Sequence, residues 1–300
     1  MEQSSNADVV IIGGSYAGLA AAMALGRALR QVVVLDSGRP CNRQTPHSHN
    51  FLTQDGEKPA VIRERALAQV RRYPTVQVVA DEALLAEKAA DGFRIATAGG
   101  RHLTARKLIF ASGIEDLLPA LPGLAACWGI SVLHCPYCHG YEVHGQPLGV
   151  LNNGDGGFVQ ARLIRNWTPQ LTLFTNGPST LTEAQTRQLH AEGILVEESS
   201  VQAVCHEQGK LCSLALANGA EADLIAVFTH VPFRQQSELP ALLGCRVTAT
   251  GHLEVDDWQK TSVPGVYAAG DATTPMRSVA NAVAAGTRAG AFVNHELLGL

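Results

Sequence analysis

Aromatic residues are scarce in this sequence, at 5% of 300 positions. No apolar run approaches the roughly 20 residues that a bilayer-spanning helix needs, so no membrane segment is expected. Residues 1–8 have neither the basic n-region nor the apolar h-region of a secretory leader, and a cytoplasmic location is the expectation. Positive charge is not in excess either: 23 Lys and Arg face 27 Asp and Glu, for a net charge of -4. Binding to a phosphate backbone needs clustered positive charge, so nucleic acid is not an expected partner. Charged residues reach only 17% and hydrophobic residues 46%, which excludes disorder and supplies a sizeable core. The length suits about two domains. Glycine, by contrast, is plentiful at 29 residues, as in nucleotide-binding α/β chains.

A disulfide framework is not expected among seven cysteines in a reducing compartment. Cys135 and Cys138 stand apart at C-x-x-C spacing. The other five, Cys41, Cys127, Cys205, Cys212 and Cys245, read as small buried hydrophobes.

Along the chain, residues 8–12 form a β-branched apolar run ended by Gly13-Gly14, the pattern of a buried parallel strand. An Ala/Leu-rich helix over 17–29 and a second buried strand over 31–36 complete a βαβ unit. Residues 37–54 read as a loop and 58–72 as an amphipathic helix. Segments 76–79, 93–97 and 102–104 read as antiparallel strands, and 107–113 as a strand ending at glycine. Pro119, Pro122 and Gly123 mark a domain crossing. A second βαβ pattern starts about 140 residues after the first, with a strand over 148–151, a turn over 152–157 and a helix over 158–166. Strands over 171–175, 194–197, 212–216 and 224–228 and a helix over 182–192 follow. The chain closes with a strand over 265–271 ending in Gly270-Asp271 and an Ala-rich helix over 278–297. The pattern predicts two related nucleotide-binding folds, the second inserted within the first.

The first turn reads Gly13-Gly14-Ser15-Tyr16-Ala17-Gly18. Gly13 and Gly18 match the first and third glycines of the G-x-G-x-x-G fingerprint, and Ser15 stands at the second. A helix starting there offers free N–H groups and a positive dipole end to a pyrophosphate. Asp36 ends the second strand 23 positions after Gly13, close to the spacing of a ribose-binding acid.

The second motif is His134-Cys135-Pro136-Tyr137-Cys138-His139-Gly140-Tyr141-Glu142. A C-x-x-C pair closes into a disulfide and lowers the pKa of one thiol, whose thiolate is the nucleophile of exchange. His139 is placed to take or give a proton near neutral pH. A zinc site needs a second ligand pair, and no other C-x-x-C exists; completing one with His134 and His139 would crowd the ligands. C-x-x-C-H is also a haem-attachment signature, which needs an exported chain. No metal ligand is assigned.

Taken together, the N-terminal fingerprint, the C-x-x-C and the late Gly-Val-Tyr-Ala-Ala-Gly-Asp resemble the low-molecular-weight thioredoxin reductases over nearly the whole chain. The resemblance implies an α/β fold of two Rossmann-like nucleotide-binding domains of the three-layer ββα type. The FAD-binding domain would comprise 1–114 and 232–300. The smaller NAD(P)H-like domain, 115–231, would be inserted in it and carry the redox disulfide. FAD contacts carry over to Gly13, Ser15, Tyr16, Ala17, Gly18 and Asp36, to Asn50 in the following loop, and to Gly270 and Asp271. Arg277 and Ser278, near the start of the last helix, match more loosely. The resemblance also implies a homodimer, a flavin-facing Cys138 and an exchanging Cys135. His139 is the candidate acid/base, and His47 and His49 lie in the loop before Asn50.

Two departures shape the expected function. The family's Cys-Asp-Gly is here Cys138-His139-Gly140, and Cys-x-x-Cys-His-Gly-Tyr-Glu is similar to the dithiol oxidase branch that makes the disulfides of gliotoxin and holomycin. The NADPH fingerprint is degraded, with Asn152 at its first glycine, and the 2′-phosphate clamp reads Phe174-Thr175-Asn176-Gly177. Losing two charge-assisted contacts, each worth about 1.5–3 kcal/mol, weakens NADPH by roughly two to four decades. Arg162 or Arg165, deeper in the helix, are the only nearby substitutes. The expected activity is that of an FAD-dependent disulfide/dithiol oxidoreductase, exchanging two electrons between flavin and the Cys135–Cys138 pair with NADPH not the expected reductant; its first form oxidises a dithiol and passes the electrons to O2 or another acceptor. The alternatives are reduction of a thioredoxin-like protein, fed by NADPH, ferredoxin or a second flavin in the vacated site, and a non-catalytic redox sensor. The substrate is a dithiol or disulfide, on a small molecule or a protein.

Overall fold

Buried β-branched runs build the first sheet of the protein, seen here in a computed structural model that describes residues 4–300. Strand β1 (Ser4–Ile12) leads into helix α1 (Tyr16–Arg27) and strand β2 (Val32–Leu35). Val9, Val10 and Ile11 are fully enclosed, as a strand covered on both faces requires. Helix α2 (Pro59–Val70) returns the chain to β3 (Val76–Val79), which is followed by β4 (Ala83–Ala89), β5 (Gly92–Thr97), β6 (His102–Phe110) and β7 (Ile114–Asp116). The second unit begins with α3 (Leu124–Cys127), β8 (Val132–Leu133) and α4 (Pro136–His139). It continues through β9 (Leu148–Leu151), α5 (Gly154–Ile164), β10 (Leu171–Phe174), α6 (Glu183–Ala191) and β11 (Ile194–Glu197). The meander β12 (Val201–Glu207), β13 (Lys210–Leu216) and β14 (Glu221–Asp223) precedes β15 (Ala226–Thr229). Strand β16 (Phe233–Gln235), helix α7 (Leu239–Leu242), strand β17 (Val266–Ala268) and helix α8 (Val279–Leu297) complete the chain.

The chain divides into two compact units. The first comprises Met1–Arg43, Asn50–Glu115 and Phe233–Leu300, the second Gln44–His49 and Asp116–Pro232. The segment Gln44–His49 thus groups with the second unit, although its position in the chain suggested the first. Each unit carries its own sheet with a parallel core, in the manner of two Rossmann-like folds.

In the first unit the sheet runs β3-β2-β1-β6-β5-β4, with β17 also on β6. Strand β6 is one element, not two. Its first half pairs antiparallel with β5 (Ala105 opposite Phe93), and its second half pairs parallel with β17 (Leu108 opposite Val266). Strand β3 pairs parallel with β2 (Val76 opposite Val32), which corrects the antiparallel expectation. It returns through the α2 crossover, and such crossovers join parallel strands.

In the second unit the parallel sheet runs β11-β10-β9-β15-β8, beside the antiparallel β12-β13-β14. Helix α5 begins at Gly154, four residues earlier than expected, because Asn153 caps it there. The expectation of buried free cysteines holds for Cys127 and Cys245 only. Cys41 and Cys205 are half-buried and Cys212 is exposed, since alternation along β13 turns Leu211 and Ser213 inward and Cys212 out. No described helix is long and apolar enough to cross a membrane.

A charged cluster ties β6 and β17 to α8 in the first unit. The Glu296 carboxylate meets Lys107, accepts from the Tyr267 hydroxyl at 2.5 Å and lies 3.2 Å from Lys260. Burial pushes the Glu296 carboxyl up, but hydrogen bonds from Lys107, Tyr267 and Lys260 outweigh it and hold the group at about 2. The folded value lies below the unfolded one, so this stabilisation is complete above about pH 4.5 and is lost as pH falls toward 2. Glu296→Gln should lower stability at pH 7 by about 1–3 kcal/mol. It should also flatten the loss of urea midpoint between about pH 5 and pH 2.5; an equally steep acid limb in the variant would dissociate Glu296 from acid unfolding.

Candidate active site

The β1–α1 turn is a backbone cradle with unclaimed donors. Gly13 has φ +114, and a Cβ there would sit 2.1 Å from the Ala111 carbonyl oxygen, so only glycine fits the crossing. The Gly13 N–H donates to the Leu35 carbonyl at 2.8 Å. Ser15 is the N-cap of α1, yet its side chain makes no capping bond, and the first turn carries no acidic residue. The start of α1 therefore has no side-chain cap for its first N–H groups, as a phosphate-binding helix start requires. The Ser112 hydroxyl, next to the same crossing, is buried without a hydrogen-bond partner. An orphaned donor beside an open helix start fits an anionic dinucleotide such as FAD.

The other predicted contacts fall around this cradle to different degrees. Asp36 lies so close to Gly14 that a Cβ on Gly14 would meet its carboxyl carbon at 2.5 Å. Its carboxylate accepts from the Gly38 N–H at 2.9 Å and pairs with Arg63, a partner that the sequence reading missed. Gly270 comes against Ala17, 3.0 Å from Cβ to Cβ if Gly270 had one. This joins positions about 250 residues apart. Arg277 lies 3.9 Å from the Asp271 carboxylate and donates to the Cys41 sulfur at 2.8 Å. The Ser278 hydroxyl accepts from the Asn281 N–H as the cap of α8. Tyr16 donates to the Pro59 carbonyl at 3.2 Å. Asn50 is exposed in the left-handed region at φ +58, and its N–H donates to Asp55 at 2.7 Å.

In the second unit Cys135 and Cys138 form a disulfide across α4, with Cα atoms 5.3 Å apart. Pro136 starts this single turn, and its carbonyl accepts from Gly140 at 2.7 Å. Gly140 packs tightly on Trp167, and the exposed Tyr137 ring meets the Trp167 ring edge-on at 5.6 Å. His139 is pushed down to about 4, first by desolvation and second by the neighbouring His49. It is therefore a neutral imidazole at pH 7, not a group poised near 6.5. His49 itself lies 3.4 Å from the Glu142 carboxylate. His134, which follows β8, meets the His230 ring edge-on at 5.5 Å. Among the described residues no group of three His, Cys, Asp or Glu could hold a metal ion.

A cavity of about 400 Å³ opens at the carboxyl ends of β9, β10 and β15, lined by Leu151, Asn152, Asn153, Thr175, Asn176 and His230 among others. β9 lies between β10 and β15, where strand order reverses, the usual nucleotide cleft of such a sheet. Here the helix start is closed by its own residues. The Asn153 carboxamide oxygen accepts from Gly154 and Thr180, and its NH2 donates to the carbonyls of Thr175 and Pro178. Asp155 puts a carboxylate in the first turn of α5. Asn176 accepts from the Val201 N–H. Arg162 pairs with Glu192 at 2.9 Å, and Arg165 donates to the Glu192 and Thr168 carbonyls. Neither guanidinium is turned to the cleft.

A nucleotide cradle at the start of α1 in one unit and a C-x-x-C disulfide across α4 in the other define a dinucleotide-type disulfide oxidoreductase. The chain belongs to the pyridine nucleotide-disulphide oxidoreductase family, whose profile matches residues 7–286. It is thereby an FAD-using oxidoreductase acting on sulfur groups. It is 33% identical to thioredoxin reductase tcpT of Claviceps purpurea, over 99% of this chain and 96% of that one. The crystal structure of an oxidoreductase from Agrobacterium tumefaciens superposes with TM-score 0.92 at 37% identity, covering 98% of this chain and 99% of the other. That of HlmI gives TM-score 0.92 at 36% identity, with 98% and 93% covered. These are relatives of the thioredoxin reductase-like kind to which the Cys-x-x-Cys-His-Gly-Tyr-Glu segment pointed.

The position of His139 gives a titration test. Its folded pKa lies below the unfolded value near 6.5. Its burial therefore costs stability increasingly as pH falls below about 6.5, down to about 4. The His139 ring should show no titration between pH 5.5 and 8 by nitrogen-detected NMR, and His139→Asn should lose less stability than the parent on going from pH 7 to pH 5. A ring midpoint near 6.5 would overturn both.

Proposed function

We propose that this chain oxidises dithiols at the Cys135–Cys138 disulfide, without NADPH as its reductant. The closed start of α5 carries this reading. A pyrophosphate there would meet Asp155 and find the Gly154 N–H already bonded to Asn153. The absence of a basic residue in Thr175-Asn176-Gly177 adds to it. Ser15, the open α1 start, Ser112, Asp36, Gly270 and Asp271 are the residues we assign to holding FAD. When bound, FAD supplies a two-electron store that restores the disulfide and discharges to O2 or another acceptor.

The exchange itself is written on this chain's sulfurs. A substrate thiolate attacks Cys135 Sγ, forming a mixed disulfide while the Cys135–Cys138 bond breaks and Cys138 leaves as a thiolate. The second substrate thiol loses its proton and attacks the substrate sulfur of the mixed disulfide, and Cys135 is released. The substrate departs as a disulfide, oxidised by two electrons, and the protein pair is reduced by two. We assign Cys135 to exchange, Cys138 to the flavin side and His139 to transient proton acceptance. The resemblance supports a homodimeric, cytoplasmic enzyme acting on a small dithiol or on a thioredoxin-like protein.

Anaerobic stopped-flow spectroscopy of the holoprotein tests this. Dithiothreitol should bleach the flavin band rapidly, and micromolar NADPH should not bleach it on the same timescale. Cys135→Ser and Cys138→Ser should each abolish bleaching by the dithiol. Rapid bleaching by NADPH would restore the ordinary reductase reading, and dithiol bleaching in both variants would remove the pair from the chemistry.

A further inference from the structure

We propose that Arg63 is a positioning residue for FAD that neutralises the Asp36 carboxylate so that the turn before α1 can take a diphosphate, a role that rests on the assignment of FAD to that turn. Asp36 follows β2 and packs against the turn itself. A Cβ on Gly14 would lie 2.8 Å from Asp36 Oδ2, so that oxygen sits beside the glycine backbone. The Asp36 side chain is only 12% exposed, and water screens its charge little. Left bare, this carboxylate would repel a diphosphate at the same turn. Its two oxygens have different partners. Oδ1 accepts from the Gly38 N–H at 2.9 Å. Oδ2, the oxygen beside Gly14, pairs with the Arg63 guanidinium. A positive charge is thus placed on the oxygen that adjoins the turn.

The fold holds the arginine there through the start of α1. Pro59 opens α2, and its carbonyl accepts from the hydroxyl of Tyr16, the first residue of α1, at 3.2 Å. Asn42 donates to the same hydroxyl at 3.3 Å. Arg63 stands one helical turn after Pro59, on the same face of α2. Burial raises the Tyr16 pKa above its ordinary value, while the Asn42 hydrogen bond and the Arg63 charge oppose the rise. The start of α5 gives the contrast within one chain. Its acid, Asp155, accepts from the Gln185 carboxamide at 2.7 Å, a neutral partner. Asp271, the other acid assigned to FAD, has the Arg277 guanidinium 3.9 Å away. Each acid assigned to the FAD site is thus offset by an arginine, and the acid at the α5 start is met by an amide.

Equilibrium dialysis of the full-length holoprotein against FAD measures the affinity, with the fold of each variant checked by circular dichroism. Arg63→Gln should weaken FAD binding by about tenfold at low ionic strength. The loss should shrink at about 1 M salt, where the screening length falls to about 3 Å. Arg63→Lys keeps the charge and should stay within about threefold of the parent. In an Asp36→Asn background, Arg63→Gln should cost less than about twofold, because no carboxylate remains to be offset. Parent-like affinity in Arg63→Gln would overturn the inference. So would equal losses with and without the Asp36 carboxylate, or equal, salt-independent losses in the Gln and Lys variants, the mark of a merely structural contact. Hydrogen exchange on the parent separates this role from the assignment beneath it. FAD loading should protect the amides at the start of α1. No protection there means that FAD does not occupy the turn, and the role of Arg63 falls with that assignment; protection together with parent-like affinity in Arg63→Gln removes the role of Arg63 alone.

Discussion

The backbone contact between α8 and α1 is the constraint on which the nucleotide cradle depends. A Cβ on Gly286 would sit 2.0 Å from the Ala17 carbonyl oxygen, and one on Gly290 would sit 2.7 Å from that of Ala21. The two glycines are one helical turn apart, as are the two alanines, so the helices meet along a small-residue stripe. Ala17 is the second residue of α1, immediately past the open turn, and its Cβ also fills the space beside Gly270. The last helix thus fixes the start of the first one and brings Gly270-Asp271 to it. The chain leaves this unit after Glu115 and returns at Phe233, and the α1–α8 contact is one of the places where its outer segments lock together. The Lys107–Glu296–Tyr267 cluster pins the other end of α8.

Two helix starts of similar sequence pattern carry opposite electrostatic outcomes. Before α1, Ser15 leaves the N–H groups uncapped and no acid intervenes. Before α5, Asn153 caps Gly154, and Asp155 already supplies the negative charge that a helix dipole attracts. An anion at the first start would fill an electrostatic need. At the second it must displace a hydrogen bond and face a carboxylate. Both changes lie in side chains, so the backbone of the second unit stays that of a nucleotide-binding sheet.

Much of this was legible in the sequence for physical reasons. Runs such as Val9-Val-Ile-Ile12 are apolar on both faces only if both are covered, so the core strands were readable. The C-x-x-C closed as expected because a single turn starting at Pro136 brings its ends together. Three things were not readable. The parallel course of β3 depends on the α2 crossover, not on residues 76–79 themselves. The loss of Arg162 and Arg165 from the cleft depends on Glu192, at the far end of another helix. The Asp36–Arg63 and His49–Glu142 pairs join residues that no local pattern connects.

The depressed pKa of His139 bears on the direction of the proposed chemistry. A reductase must deliver a proton to a leaving substrate thiolate, and an imidazole near 4 carries almost none to give at pH 7. A dithiol oxidase needs the reverse, an unprotonated base beside the sulfurs, and the same burial keeps His139 in that state. On the proposed reading, the closed α5 start weakens supply of electrons from NADPH, and the neutral His139 leaves an unprotonated base next to Cys138. The two features are independent in the chain, one at Asn153 and one at His139, and on the proposed reading they bias electron flow the same way.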